Sequence, residues 1–223
     1  MASIRERNIQ SIVAAASREF AQSGFEAARI EEIAAQAGVP KANVHYYFET
    51  KRKLYLAVLE KVMAPLSRAF QALDPQASPE SALRRYIRAK LEVCRHQPHA
   101  VRVMLSELLH GAHHLPGARS EEVRGLAQKA VGCLQGWMDK GLIERTAPEH
   151  LLLFIWSTTM AHVRFATVPQ PGQVNWPVED AKGQALVQML TRMVLGSICQ
   201  PAETEAPLNT KAPLWQPAAG ESL

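Results

Sequence analysis

Residues 28–53 read ARIEEIAAQAGVPKANVHYYFETKRK. A short apolar-periodic segment runs from Ile30 to Ala37 and stops at Gly38, and a second opens at Pro40. Two short helices broken by a glycine outline a helix-turn-helix, whose second helix is shaped to enter a DNA groove. Ile33 and Ala34 face inward, and small alanines allow close approach of two helices. Gly38 provides the bend, Val39 plugs the crossing, and Pro40 suits the first turn of the second helix, where its missing N–H is not needed. Within that helix Val44 points to the core, and Phe48 is its anchor.

The polar groups of the second helix carry the candidate chemistry. Lys41 can contact phosphate, Asn43 can read a base edge or bind phosphate, and His45, Tyr46 and Tyr47 can do either by hydrogen bond or packing. Any one of them is ordinary surface chemistry. The spacing of the set favours DNA. Thr50 is a plausible N-cap for the next helix, without a glutamate three residues on to complete a capping box. Lys51, Arg52 and Lys53 then crowd a helix N-terminus, where cations oppose the dipole and a phosphate resolves the conflict. The alternative is a solvated charged turn.

Upstream, residues 4–22 place Ile9, Ile12, Val13, Ala16 and Phe20 on one helical face, with Gly24 as its terminator and Phe25 folding back. Downstream, the spacing predicts a helix from 51, kinked or ended by Pro65. A joint at 74–79 leads to a helix capped by Ser78 and carrying Leu83, Tyr86, Ile87, Leu91 and Cys94 on its stripe. Pro98 opens the next. Residues 110–120 read as a loop, and 121–140 as a helix ended by Gly141. Gly125, Gly132 and Gly136 there allow close packing or line a cavity. Residues 148–165 follow, apolar all round at Leu151–Trp156 and therefore buried on more than one side. A long loop spans 166–177. A last helix, 179–198, has a stripe fit for a subunit interface or for plain core. After Pro201 the composition predicts a disordered tail, with Trp215 docking weakly.

The fold class expected is all-α, of about nine helices: a helix-turn-helix DNA-binding domain at 1–50, a helical effector-binding and dimerisation domain at 51–200, and a tail at 201–223. At 223 residues and 47% apolar content the chain can bury a real core. Its formal charge of +4 permits nucleic-acid binding without requiring it. Cys94, Cys133 and Cys199, widely spaced and without CxxC, fit a reducing compartment. Charges at Arg5, Glu6 and Arg7 and the lack of a long apolar run argue against a signal peptide, which makes the cytoplasm the expected location.

No nucleophile elbow, glycine-rich phosphate loop or HExxH is present, and no cofactor is expected. Cys94, Arg95 and His96 are adjacent on a helix and point apart, a poor dyad. His110, His113 and His114 have a spacing that zinc can use, but no carboxylate or cysteine close in sequence completes the set, and a flexible loop is the better reading. No metal is expected. In the 148–165 helix, Ser157, Thr158, Thr159, His162 and Arg164 are polar groups that need partners, either a ligand or the protein itself.

Several stretches carry a resemblance. FAQSGF at 20–25 and IEEIAAQAGVPKANVHYYFETKRKLY at 30–55 resemble the Tet-repressor family of bacterial transcriptional regulators. Its signature corresponds here to Gly38-Val39, Tyr46-Tyr47-Phe48 and Lys51-Arg52-Lys53-Leu54. One departure stands out: Ala28 and Arg29 occupy the place of the usual hydroxyl residues before the second helix, and Arg29 can replace their phosphate contact by charge. The resemblance implies a homodimer built from the last two helices, an effector pocket in helices 4–8, and repression from a palindromic operator relieved by a small molecule.

It also implies DNA contacts by Arg29, Lys41, Asn43, His45, Tyr46, Tyr47, Thr50, Lys51 and Lys53. Trp156, Thr159 and His162 are the candidate effector contacts. Residues 86–166 are similar to the branch containing the pyrimidine-utilisation regulator, which makes uracil or thymine a candidate effector. A helical protein-interaction module, or an activator without a small-molecule effector, is the alternative.

Overall fold

The computed structural model describes residues 3–167 and 180–199, with side chains through Met160 and again from Gln184 to Ile198. The expected 166–177 loop lies largely outside the described residues, and the tail from 201, with Trp215, lies wholly outside them. So do the side chains of His162, Arg164 and Cys199. Every regular element among the described residues is helical, as the periodicity predicts: α1 (Ile4–Ala27), α2 (Ile30–Ala37), α3 (Lys41–Phe48), α4 (Lys51–Ala69), α5 (Pro79–His96), α6 (Pro98–Leu109), α7 (Gly117–Asp139), α8 (Pro148–Thr167) and α9 (Asp180–Cys199), with a single 3-10 turn at Phe70–Ala72.

Local chemistry sets the boundaries. A capping box opens α1: Ser3 accepts from the Glu6 N–H at 3.2 Å, and Glu6 accepts from the Ser3 N–H at 2.7 Å. Gly24 adopts φ +77°, ψ 173° and breaks the helix, after which three more residues coil before Ala28. The expected stop is thus a kink, and Phe25 does turn back, its ring 6.1 Å from that of Phe20. Gly38 at φ +68° closes α2, its N–H donating to Ala34 and Ala35. Pro40 is the N-cap of α3, one residue ahead of the first-turn position expected for it.

Thr50 caps α4 by accepting from the Lys53 N–H at 3.1 Å. Pro65 neither ends α4 nor prevents its continuation to Ala69. Helix α7 starts at Gly117, four residues ahead of expectation, which shortens the loop to 110–116. The α7 glycines do not mediate close packing: among the described residues nothing lies within 4 Å of a Cβ built at Gly125, Gly132 or Gly136.

Two apolar clusters organise the chain. The first joins Ile12, Ala16 and Phe20 of α1, Ile33 and Ala34 of α2, Val44 of α3, the stripe of α4 from Leu54 to Leu66, Val101 and Met104 of α6, and Met160 of α8. The second joins Leu83, Tyr86 and Ile87 of α5 with Leu134 and Trp137 of α7, Ile155 of α8 and Leu190 and Val194 of α9. The head therefore shares a core with α4 and α6, and any shift of those helices is felt by α1. Within one chain the Leu151–Trp156 run is not buried all round. Leu151 and Ile155 are buried, but Leu153 is 55% and Phe154 42% exposed, and Met189 and Met193 of α9 are exposed as well.

Candidate nucleic-acid interface

The short helix α3 is fixed from beneath. Val44 is fully buried, Phe48 packs against the same core, and Ser11 of α1 donates to the Ala37 carbonyl at 2.9 Å, holding the end of α2. The opposite side of α3 presents Lys41, Ala42, His45 and Tyr46 to solvent, with Asn43 and Tyr47 half-buried. Tyr46 is 78% exposed, an unusual position for a ring with an apolar body. Its one aromatic neighbour among the described residues is Tyr47, edge-on at 5.1 Å. Tyr47 in turn accepts from Asn8 Nδ2 of α1 at 3.4 Å. A rigid helix with an exposed cation, imidazole and phenol over an apolar underside is built to meet a polar, π-faced surface.

The cations differ in availability. Lys41 pairs with Glu31 at 2.5 Å, and its hydrogen bond holds that carboxyl below its ordinary value. Lys53 pairs with Glu49 at 2.5 Å. Both pairs are exposed, so phosphate can replace the carboxylates at little cost. Arg29 and Arg52 are exposed. Arg29 is the N-cap of α2 and makes no side-chain cap bond, so the hydroxyl cap is absent as the sequence requires.

Lys51 is different. Its ammonium donates to the carbonyls of Glu26 at 2.9 Å and Ala28 at 3.3 Å and lies 4.8 Å over the Phe25 ring. Most of its bonding capacity already ties α4 to the segment before α2. Residues 28–53 carry five cations against three carboxylates, so the face remains net positive.

In the body, Trp156 is half-buried against the first core, and Thr159 is fully buried, with its hydroxyl given to the backbone of Ile155 at 2.7 Å and Trp156 at 3.0 Å. A buried threonine satisfied by its own helix needs no ligand. Other buried polar groups lack such provision among the described residues, one of them Gln97 Oε1 at the α5–α6 joint. Lys90 of α5 is 2% exposed, its ammonium 5.3 Å over the Tyr86 ring, and no carboxylate among the described residues pairs with it. Burial brings its pKa down to about 8, against a small opposing effect of Cys94. The Trp137 Nε1–H is fully buried without an acceptor among the described residues.

Residues 12–58 match the family described as bacterial regulatory proteins, tetR family, and residues 59–201 match the YcdC-like protein, C-terminal region, of tetR-type regulators. The chain belongs to the TetR family. It is a DNA-binding transcriptional regulator. RutR of Escherichia coli (strain K12), an HTH-type transcriptional regulator, is 36% identical over 157 residues, which span 70% of this chain and 74% of RutR. NicS of Pseudomonas putida (strain KT2440), an HTH-type transcriptional repressor, is 32% identical over 137 residues, 61% of this chain and 64% of NicS. Among solved structures, the ketosteroid regulator KstR2 of Mycobacterium tuberculosis superposes with a TM-score of 0.68 over 90% of this chain and 97% of its own, at 22% identity. PfmR from Thermus thermophilus gives 0.65 over 87% and 97%, at 18% identity. At those identities the likeness concerns the fold alone.

Against this TetR frame, two features escaped the sequence reading. Lys90 completes the stripe of α5, one turn after Tyr86 and one turn before Cys94, so a charge standing on an apolar stripe was the available signal. Glu107 was the second. It lies among the apolar residues of α6, 4% exposed, and binds His114, the loop histidine for which no carboxylate partner was foreseen. The described residues contain no cluster of three metal-ligating groups.

Proposed function

We propose that the protein is a homodimeric repressor whose two heads read a palindromic operator and which a small molecule releases. The head is residues 1–50 and the body 51–200. The observation that carries the reading is α3, with Val44 buried beneath and Lys41, His45 and Tyr46 presented together. Asn43 and Tyr47 extend the reading face. Arg29, Thr50 and Lys53 hold phosphates beside it, and Lys51 contributes chiefly by positioning. Phosphate contacts supply much of the affinity and make it salt dependent. The repressor assignment draws on NicS, which is named as one.

Dimerisation uses α8 and α9, whose Leu153, Phe154, Met189 and Met193 are large apolar groups left exposed by the single chain. The effector site lies in the body, near Trp156, Thr159 and His162. The buried Lys90 ammonium supports an effector with acceptor oxygens, a description that uracil and thymine meet. The effector must bind the two head arrangements unequally to release DNA. No described helix is long and apolar enough to cross a membrane, and we place the protein in the cytoplasm as a regulator without catalytic activity.

Genomic selection with the purified protein tests this, followed by titration of the recovered sites with uracil and thymine. A shared palindrome released by a pyrimidine supports the whole reading. Sites without release remove the pyrimidine, and no enriched site at low salt removes the operator. On a recovered site, Lys53→Ala with Tyr47→Phe is expected to weaken binding with folding intact. It should also reduce the slope of log K against log salt by about 1. Phenylalanine is chosen because the Tyr47 ring packs on the core. Equal slopes in a salt titration would remove Lys53 from the phosphate contacts.

A further inference from the structure

Within the core that the head shares with α4 and α6 lies a buried carboxylate. Glu107, near the end of α6, accepts three hydrogen bonds. The Tyr55 hydroxyl of α4 donates to Oε2 at 2.9 Å, the His114 backbone N–H to Oε1 at 2.6 Å, and His114 Nδ1 to Oε2 at 3.0 Å. Burial opposes its ionisation, but the His114 N–H, the Tyr55 hydroxyl and the His114 ring together hold its pKa below the ordinary value. Burial, reinforced by Glu107, keeps Tyr55 protonated and therefore a donor.

The rings continue the connection. His114 lies 4.4 Å from Phe25 and 5.2 Å from Tyr55, and Phe25 lies 4.9 Å from Tyr55. Phe25 also carries the Lys51 ammonium, which grips the carbonyls of Glu26 and Ala28. Ile30 begins α2 two residues later. The broken end of α1, the first turns of α4, the end of α6 and the 110–116 loop thus converge on Glu107.

We infer that Glu107 is a positioning residue for DNA binding: with Tyr55 and His114 it latches the end of α6 to the Phe25–Ala28 segment and so sets the angle at which α2 and α3 leave the body. A buried carboxylate with both oxygens bonded from two elements has one good geometry. Movement of α6 or of the loop must carry the head along or break the latch. A broken latch leaves a head that has to be ordered on the operator, which lowers affinity.

The test uses the full-length protein as Tyr55→Phe, which removes one hydroxyl and keeps the ring contacts, and as Glu107→Gln, which keeps the shape. Hydrogen exchange by mass spectrometry is read over residues 24–31 and 49–56 and over α5 and α7. Operator affinity is read by anisotropy on a duplex carrying a genomically recovered site. The expected result for Tyr55→Phe is faster exchange confined to the two head segments and operator binding at least fivefold weaker, with body exchange and melting temperature close to wild type.

Head and body exchange rising together would mean an ordinary packing role and overturn the inference. So would unchanged head exchange, or operator binding within twofold of wild type. Should Glu107→Gln fail to fold, Tyr55→Phe decides alone. The DNA arm rests on the proposed operator binding, whereas the exchange arm does not, so the latch and the operator reading can fail separately.

Discussion

Replacing Leu153 and Met193 with glutamate will give a folded monomer that binds its operator roughly 10²- to 10⁴-fold more weakly. The factor is that lost when two linked binding events become separate ones. The two side chains are 55% and 54% exposed in the single chain, so the monomer fold loses little by their removal. An isologous interface contains each substitution twice, and every glutamate placed there must be desolvated without a partner. Each head alone keeps its α3 face, so weak, salt-sensitive binding to a half-site persists. Sedimentation velocity and anisotropy on full and half operators measure both parts. A dimer that survives the double substitution would move the interface away from this face of α8 and α9.

The elements that sequence reads well are those whose determinants are local. Ile33, Gly38, Val44 and Thr50 each act within a few residues, as apolar period, left-handed turn, core knob and cap, and the structure places all four accordingly. The capping box at Ser3 and Glu6 is equally local, although the sequence reading passed over it. What escaped is pairing across distance. Tyr55 and Glu107 are 52 positions apart, and no periodicity connects them. Lys51 reads as a cation at a helix N-terminus awaiting phosphate. The fold instead brings carbonyls left by the Gly24 break within its reach.

The apolar run in α8 is legible as surplus hydrophobicity, but its division between core and exposed face depends on how α8 lies on α5 and α9. The candidate site follows the same rule. The outward groups of α3 follow from helical spacing, and the groups that aim α3 follow only from tertiary contacts.

Lys90→Met is expected to stabilise the protein at neutral pH by about 3 kcal/mol, the order of magnitude of a shift from about 10.5 to about 8. The native lysine is buried without a carboxylate among the described residues, and the fold bears that cost whenever the group is charged. The direction with pH follows. Below about pH 8 both folded and unfolded chains hold the proton and the whole penalty is present. Between about 8 and 10 the folded chain loses it first, the unfolded state binds more protons, and stability of the wild type rises. Methionine has no such proton, so its advantage narrows across that window.

Cys94, pushed up to about 12 by burial against the opposing pull of Lys90, and Cys133, pushed up to about 11 chiefly by burial, act the other way above about pH 9. Both proteins share those thiols, and the difference between them largely cancels the effect. Urea denaturation of each at pH 7 and pH 9.5 decides the matter. A variant less stable than wild type at pH 7, with a gap that does not change with pH, would mean that the Lys90 ammonium is compensated where it lies. Its contribution would then come from the packing of its methylenes against Tyr86. The expected pattern instead marks Lys90 as a buried cation kept at a cost in stability, within the body where the effector site is proposed.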